Sequence, residues 1–313
     1  MDVVLLFPGQ GSQKPGMGKD LSEAFPASRR AFEEVDSALG ASLSRICFEG
    51  PGDELTETHN AQPALLAHGA AVWAVAREAI GPRIVAAAGH SLGEHTAYHA
   101  AGSTSLSDAA RLVRRRGQLM YDTGKLRPGA MVAVLGKFQD SIESLCELAT
   151  RSGGLVVPAN YNTSEQIVVS GEVKGVERLM EIAKLNGAKR AIRLPVSGAF
   201  HSPLMEPAEA GLRETLAALP FADPAFPVYS NVTECACTSA SEAKELLVRQ
   251  LTSPVRWAGE IARLANDFPD ALFIEMGPGN VLTGLLSRIA PKAAGIACGT
   301  ASEVDKLMTR LAQ

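Results

Sequence analysis

The stretch from Ile84 to Tyr98 constrains this chain more than any other. A short apolar run, Ile84 to Ala88, stops at Gly89-His90-Ser91-Leu92-Gly93 and continues as helix-compatible sequence. A strand that turns at once into a helix strains the backbone at the serine between them, and bulky neighbours would collide there. Gly89 and Gly93 remove those side chains. Ser91 would then sit at a helix N-terminus, where the backbone N–H of Leu92 can donate to an oxyanion and the helix dipole favours that charge. Gly-x-Ser-x-Gly by itself is a weak signal, because both residue types are common. Its placement between a strand-like run and an amphipathic, turn-free segment makes Ser91 a candidate nucleophile.

A second turn belongs to the same kind of edge. Asp2 to Phe7 reads as a strand, and Pro8-Gly9-Gln10-Gly11-Ser12-Gln13 follows it. In open α/β sheets, ligands bind at the C-terminal ends of the strands. The turn lacks the Lys-Ser/Thr ending of a phosphate-binding loop and the third glycine of a dinucleotide fingerprint. It is either a plain tight loop or a device in which the glycines place Gln10 to complete an oxyanion hole.

Residues 20 to 39 and 61 to 79 are expected to be helical, the second opened by Asn60 as cap with Pro63 in its first turn. Strand, helices, strand, elbow and helix in that order predict an α/β fold with a mainly parallel sheet. Ser107 to Tyr121 is a further helix, on which Ala109, Leu112, Val113 and Met120 share a face with Arg116. A guanidinium in an apolar stripe needs an anionic partner, because an unpaired buried charge is costly. That partner is either an internal carboxylate or a substrate carboxylate gripped bidentately.

From about 129 the pattern changes. Strands at Met131 to Leu135, Leu155 to Ala159, Gln166 to Ser170 and Ala188 to Leu194 alternate with helices over 138–151 and Val173 to Asn186. The order β-α-β-β-α-β is ferredoxin-like. It is too compact to extend the first sheet, so the expected domains are 1–127 and 195–313 as one large unit, with 128–194 inserted as a small one. His201 lies in a turn where the chain returns to the large unit, and is either a general base for Ser91 or an ordinary loop histidine. His68 and His99 lie in helices and read as ordinary packed or surface residues, whereas His90 and His95 flank the elbow and are placed to support it. Gln250 falls in a helix over Glu242 to Leu251, and Gly277-Pro278-Gly279 reads as a turn.

Composition excludes some functions. Thirty Lys and Arg stand against 34 Asp and Glu, so no dominant positive field draws in phosphates and nucleic acid is not an expected partner. The five cysteines are odd in number and scattered, which suits a reducing compartment. Cys235-Ala236-Cys237 has no second ligand pair at zinc spacing, so no metal is expected. The N-terminus lacks the pattern of a signal peptide and no apolar run approaches a membrane span, so a cytoplasmic protein without membrane association is expected.

A serine elbow also serves lipase-like hydrolases. Their histidine normally lies near the end of the domain, whereas a long stretch follows His201, an insertion precedes it, and no His-Gly-Gly-Gly motif stands upstream. Phe7-Pro8-Gly9-Gln10-Gly11-Ser12-Gln13, Gln62-Pro63-Ala64-Leu65, Gly89-His90-Ser91-Leu92-Gly93-Glu94, Arg114-Arg115-Arg116-Gly117, Phe200-His201-Ser202-Pro203-Leu204-Met205, Gln250 and Gly277-Pro278-Gly279 form an ordered set from end to end. Together they resemble the bacterial malonyl-CoA:acyl carrier protein transacylase family.

The resemblance implies a large α/β-hydrolase-like subdomain with a ferredoxin-like insertion. It implies transfer of a malonyl group from malonyl-CoA to the phosphopantetheine thiol of acyl carrier protein, without a cofactor; a monomer is the expected state. Carried onto matching positions, it makes Ser91 the nucleophile, His201 the base, Gln10 and the Leu92 backbone the oxyanion hole, and Arg116 the clamp on the malonyl carboxylate. Gln250 would orient His201 through its backbone carbonyl, Asn160 would support the site from the small subdomain, and Phe200 would limit bulk at the acyl α-carbon. His95 departs from the family, where tyrosine is more usual, and this bears on fine acyl preference. The carrier is acidic, which points to Lys189, Arg190 and Arg193 as candidate docking residues. The other readings are a free-standing acyltransferase of a polyketide assembly line, a serine thioesterase or esterase, and a non-catalytic carrier-binding module.

Overall fold

The N-terminal apolar run forms β1 (Val3–Phe7) in the computed structural model, which describes residues 1–196 and 198–311. Val3, Leu5 and Phe7 join one core cluster and Val4 and Leu6 another, so both faces of the strand are covered. A strand buried on both sides reads as a continuous apolar run and not as an alternation. β1 is central in a sheet that also contains β2 (Ile84–Gly89), β7 (Val228–Tyr229), β8 (Ala236–Cys237), β9 (Leu272–Glu275) and β10 (Ala294–Ala297), in the order β10-β9-β1-β2-β7-β8. Only the β7–β8 pair is antiparallel.

A second, antiparallel sheet holds β3 (Gly129–Leu135), β4 (Val156–Thr163), β5 (Gln166–Glu172) and β6 (Arg190–Arg193) in the order β4-β5-β3-β6. The helices Ile142–Gly153 and Val173–Leu185 connect its strands in the β-α-β-β-α-β order expected. The period-two pattern of β3 decides how this sheet is covered. Ala130, Val132 and Val134 pack with those two helices, while Met131 turns the other way and joins Ala159 and Val168 in the core of the large sheet.

Two helical expectations need correction. The run over 20 to 39 is two helices, Lys19–Ala24 and Pro26–Leu39, because Phe25 is extended and Pro26 can begin a helix but cannot donate within one. The next long helix starts at Thr58, so Pro63 lies inside it and Asn60 is not its cap. Asn60 instead donates to Glu54 O at 2.9 Å and accepts from Arg114. No helix among the described residues is long and apolar enough to cross a membrane.

Candidate active site

β1 and β2 run parallel with Phe7 opposite Gly89, so the turns that follow them leave the sheet side by side. The His90 N–H donates to Phe7 O at 2.9 Å. A Cβ on Gly9 would lie 2.4 Å from His90 O, which is why the turn carrying Gln10 can lie against the elbow only with glycine there. Ser91 has φ 51° and ψ −104°, and the helix Leu92–Ala100 starts at the next residue. A Cβ on Gly89 would fall 1.9 Å from Gly93 C, and one on Gly93 2.0 Å from Phe7 O. Both glycines are therefore demanded by the packing of strand against helix.

His201, in the left-handed region at φ 57°, reaches back to this edge. Its Nε2 lies 2.8 Å from Ser91 Oγ and its Nδ1 lies 2.8 Å from Gln250 O. A peptide oxygen can only accept, so Nδ1 carries the proton and Nε2 is free to accept from the serine. Burial, reinforced by the positive charge of Arg116, holds the imidazole pKa down at about 3. At neutral pH it is in its basic form.

Arg116 is buried on the helix Leu106–Leu126, on the face expected. Nη1 donates to Gln62 Oε1 at 2.7 Å, and Nη2 donates to Gln250 Oε1 at 2.7 Å and to Ser91 Oγ at 3.2 Å. All three partners are neutral oxygens, so the guanidinium is held in place without its charge being cancelled by direct contact. Burial lowers its pKa to about 10, and the carboxyl of Glu94 acts against that shift.

These groups open into a cavity of about 200 Å³ whose walls include Gln10, Leu92, Arg116, Asn160, Phe200 and His201. Each sequence-derived site residue thus lies at the cavity, apart from Gln250, which stands behind Ser91, Arg116 and His201. Gln250 terminates the helix Ala240–Arg249 as its cap and is not within it. Gln10 donates to Thr58 Oγ1 at 3.3 Å. Leu92 is the first residue of its helix, where a backbone N–H has no intrahelical acceptor. The N–H of Ser91 is engaged elsewhere, donating to Asn231 Oδ1 at 2.8 Å.

Asn231 is a residue that sequence reasoning missed. Its Nδ2 donates to Gly89 O and to Glu260 Oε2, both at 2.8 Å, and its backbone N–H to Glu94 Oε2 at 3.2 Å. The signal available was its position just after β7, at the edge where the elbow also lies. Asn162 on β4 was missed as well, and its Oδ1 lies 2.8 Å from His90 Nε2, joining the small sheet to the elbow. Burial raises the carboxyl pKa of Glu94 to about 7 and that of Glu260 well above the ordinary value. His95 is buried beside this network, and burial followed by the Arg116 charge lowers its pKa well below the usual one. Lys189, Arg190 and Arg193 are exposed at the β6 edge, with Arg193 3.7 Å from Glu177. The described residues contain no cluster of three or more His, Cys, Asp or Glu side chains able to hold a metal ion.

Residues 4–305 match the acyl transferase domain family. The chain belongs to that family. This acyl transferase is 45% identical over 304 residues to the malonyl CoA-acyl carrier protein transacylase of Bacillus subtilis, covering 97% of this chain and 95% of that one. It is 40% identical over 284 residues to the Escherichia coli protein of the same name, with 91% of each chain covered. Among solved structures, the acyl-carrier-protein-S-malonyltransferase of Bartonella henselae superposes with a TM-score of 0.95 at 42% identity, over the whole of both chains. A malonyl-transacylase solved in complex with its type II polyketide synthase acyl-carrier protein superposes with a TM-score of 0.94 at 38% identity, covering 99% of this acyl transferase and all of that chain.

Proposed function

We propose that this acyl transferase moves a malonyl group from malonyl-CoA to the phosphopantetheine thiol of acyl carrier protein, through a malonyl ester on Ser91. One observation carries the reading. Ser91 Oγ lies 2.8 Å from the neutral His201 and 3.2 Å from the Arg116 guanidinium, so the nucleophile has its base on one side and an anion-binding group on the other. An acyl group bearing a carboxylate suits such a site, and an acetyl group would leave Arg116 without an anionic partner.

In this reading His201 Nε2 takes the Ser91 hydroxyl proton as Oγ attacks the thioester carbon. The Leu92 N–H and Gln10 stabilise the oxyanion. The carbon–sulfur bond then breaks, and the proton passes from His201 to the departing thiolate of CoA. The carrier thiol reverses these steps: its proton goes to His201, its sulfur attacks the ester carbon, and Ser91 leaves with the proton restored. Gln250 O keeps the Nδ1 proton in place throughout, the task a carboxylate performs in other serine enzymes. Phe200 restricts bulk beside the acyl α-carbon, and Asn160 supports the wall supplied by the small subdomain.

The division into 1–127 with 195–313 and an inserted 128–194 belongs to the same proposal, supported by a cavity that takes Met131 and Asn160 from the inserted segment. Ser91, His201, Arg116 and Gln250 form the proposed catalytic set within a single chain, so the reaction as written calls on no second copy. The chain's own groups supply nucleophile, base and oxyanion donors, so no cofactor is assigned. Free cysteines at all five positions support a cytoplasmic setting.

The test is intact mass after brief incubation with malonyl-CoA, with acetyl-CoA in parallel and Ser91→Ala as control. A malonyl adduct on wild type alone, with little acetyl adduct, is expected. Release of CoA with no adduct and no carrier present would instead indicate a thioesterase.

A further inference from the structure

Gln250 stands between two buried groups of opposite character. Its Oε1 accepts from Arg116 Nη2 at 2.7 Å, and its Nε2 donates to Glu94 Oε2 at 2.6 Å. The same Nε2 lies 3.1 Å from Ser91 O and 3.2 Å from Asn231 Oδ1. A guanidinium has donors only and a carboxylate accepts. The amide therefore has one satisfied orientation, and turning it over would set its NH2 against the guanidinium and its oxygen against the carboxyl. Gln250, Glu94 and Arg116 are all buried, so water cannot make good a wrong orientation.

The same residue presents its main-chain oxygen to His201 Nδ1. One residue thus touches both the base and the anion-binding group, and Glu94 is the nearest of the three acceptors that hold the amino end of its side chain. Nothing in the reaction proposed above uses Glu94 directly. It is nevertheless on the elbow helix, three residues after Ser91, with the Asn231 N–H as its second donor.

We propose that Glu94 is a positioning residue: by accepting from Gln250 Nε2, it turns Gln250 Oε1 toward Arg116 and so aims the guanidinium at the acyl carboxylate. This rests on the transacylase reading and deepens it, since it names what makes Arg116 selective. Without the acceptor at 94, Gln250 Nε2 keeps only the longer contacts to Ser91 O and Asn231 Oδ1, its Oε1 is held less firmly toward Arg116, and discrimination between malonyl and acetyl groups falls. The His201 contact survives, because it is made by the main chain.

The experiment measures rates of acyl-Ser91 formation with malonyl-CoA and with acetyl-CoA for wild type, Glu94→Ala and Glu94→Gln, each checked for folding by circular dichroism. Glu94→Ala is expected to lower the malonyl-to-acetyl rate ratio at least tenfold, while Glu94→Gln, which keeps an oxygen acceptor, stays within threefold of wild type. A purely structural role would lower both rates together and leave the ratio unchanged. If Glu94→Ala does not fold, Glu94→Met fills the space without an acceptor and is expected to show the same loss. A folded Glu94→Ala or Glu94→Met with a ratio within twofold of wild type overturns the proposal. So does a Glu94→Gln ratio as low as that of the apolar variant. Failure of wild type itself to form a malonyl adduct would instead remove the transacylase reading, and is seen in the same assay before any variant is compared.

Discussion

The imidazole of His201 is held by a peptide oxygen, with Nδ1 2.8 Å from Gln250 O. No side-chain substitution at 250 removes that acceptor. Gln250→Ala is therefore expected to keep acylation of Ser91 by acetyl-CoA within about tenfold of wild type, whereas His201→Ala lowers it by roughly 10²- to 10⁴-fold, the usual contribution of a general base. Rates of adduct formation by mass spectrometry separate the two.

In the proposed reaction, Arg116 carries the discrimination between acyl groups. Hydrogen bonds to a charged group are worth about 1.5–3 kcal/mol each, so Arg116→Ala should lower the malonyl-to-acetyl preference on the order of 10²-fold. Competition between the two thioesters for Ser91 measures this directly, and an unchanged preference would refute the clamp.

The elbow glycines give a test that concerns folding. Gly89→Ala would force a Cβ to within 1.9 Å of Gly93 C, against backbone that cannot move aside. A loss of more than about 4 kcal/mol is expected, in the class of the most severe single substitutions. Gly102 has φ +78° but nothing within 4 Å of an added Cβ. Gly102→Ala should cost only the left-handed backbone penalty, about 1–2 kcal/mol. Thermal denaturation of both variants is the comparison.

Stability should depend on pH from two opposed sources. His201 and His68 have folded pKa values of about 3 and about 4, below the ordinary 6.5, because burial disfavours their charged forms. The unfolded chain binds more protons at these sites, so their contribution is present above pH 6.5 and is lost as the pH falls toward those values. Glu94 runs the other way. Its folded pKa of about 7 exceeds the ordinary 4.5, so its contribution is present below pH 4.5 and is lost as the pH rises through about 7. The melting temperature of Glu94→Gln relative to wild type is expected to climb between pH 5 and pH 8. A difference that stays flat over that range would place the Glu94 pKa elsewhere.

Much of this architecture was legible in the residues. The spacing of Gly89, Ser91 and Gly93 marks a turn that only one strand-to-helix geometry allows, and the compact alternation from 129 to 193 marks a separate small sheet. Arg116 betrayed itself by standing in an apolar stripe. What the sequence hid was connectivity between distant polar residues. Asn231 meets Glu94 from 137 positions away, and no periodicity encodes such a meeting. The break at Phe25 and the early start at Thr58 were missed because Pro26 and Pro63 look alike in a linear pattern, though one begins a helix and the other lies inside it.

The pairing of β1 with both β2 and β9 has a consequence for how the protein is made. A nascent chain acquires the elbow early, but one flank of β1 has no neighbour until Leu272–Glu275 has left the ribosome. At roughly 5–20 residues per second, that is a wait on the order of ten seconds or more. The small antiparallel sheet, continuous in the chain, can close within that interval. Ser91 meets His201 only after 110 further residues have been added, and meets Asn231 only after 140. A chain that stops between the elbow and residue 201 therefore carries Ser91 without His201, and presents an unpaired apolar strand edge to its surroundings.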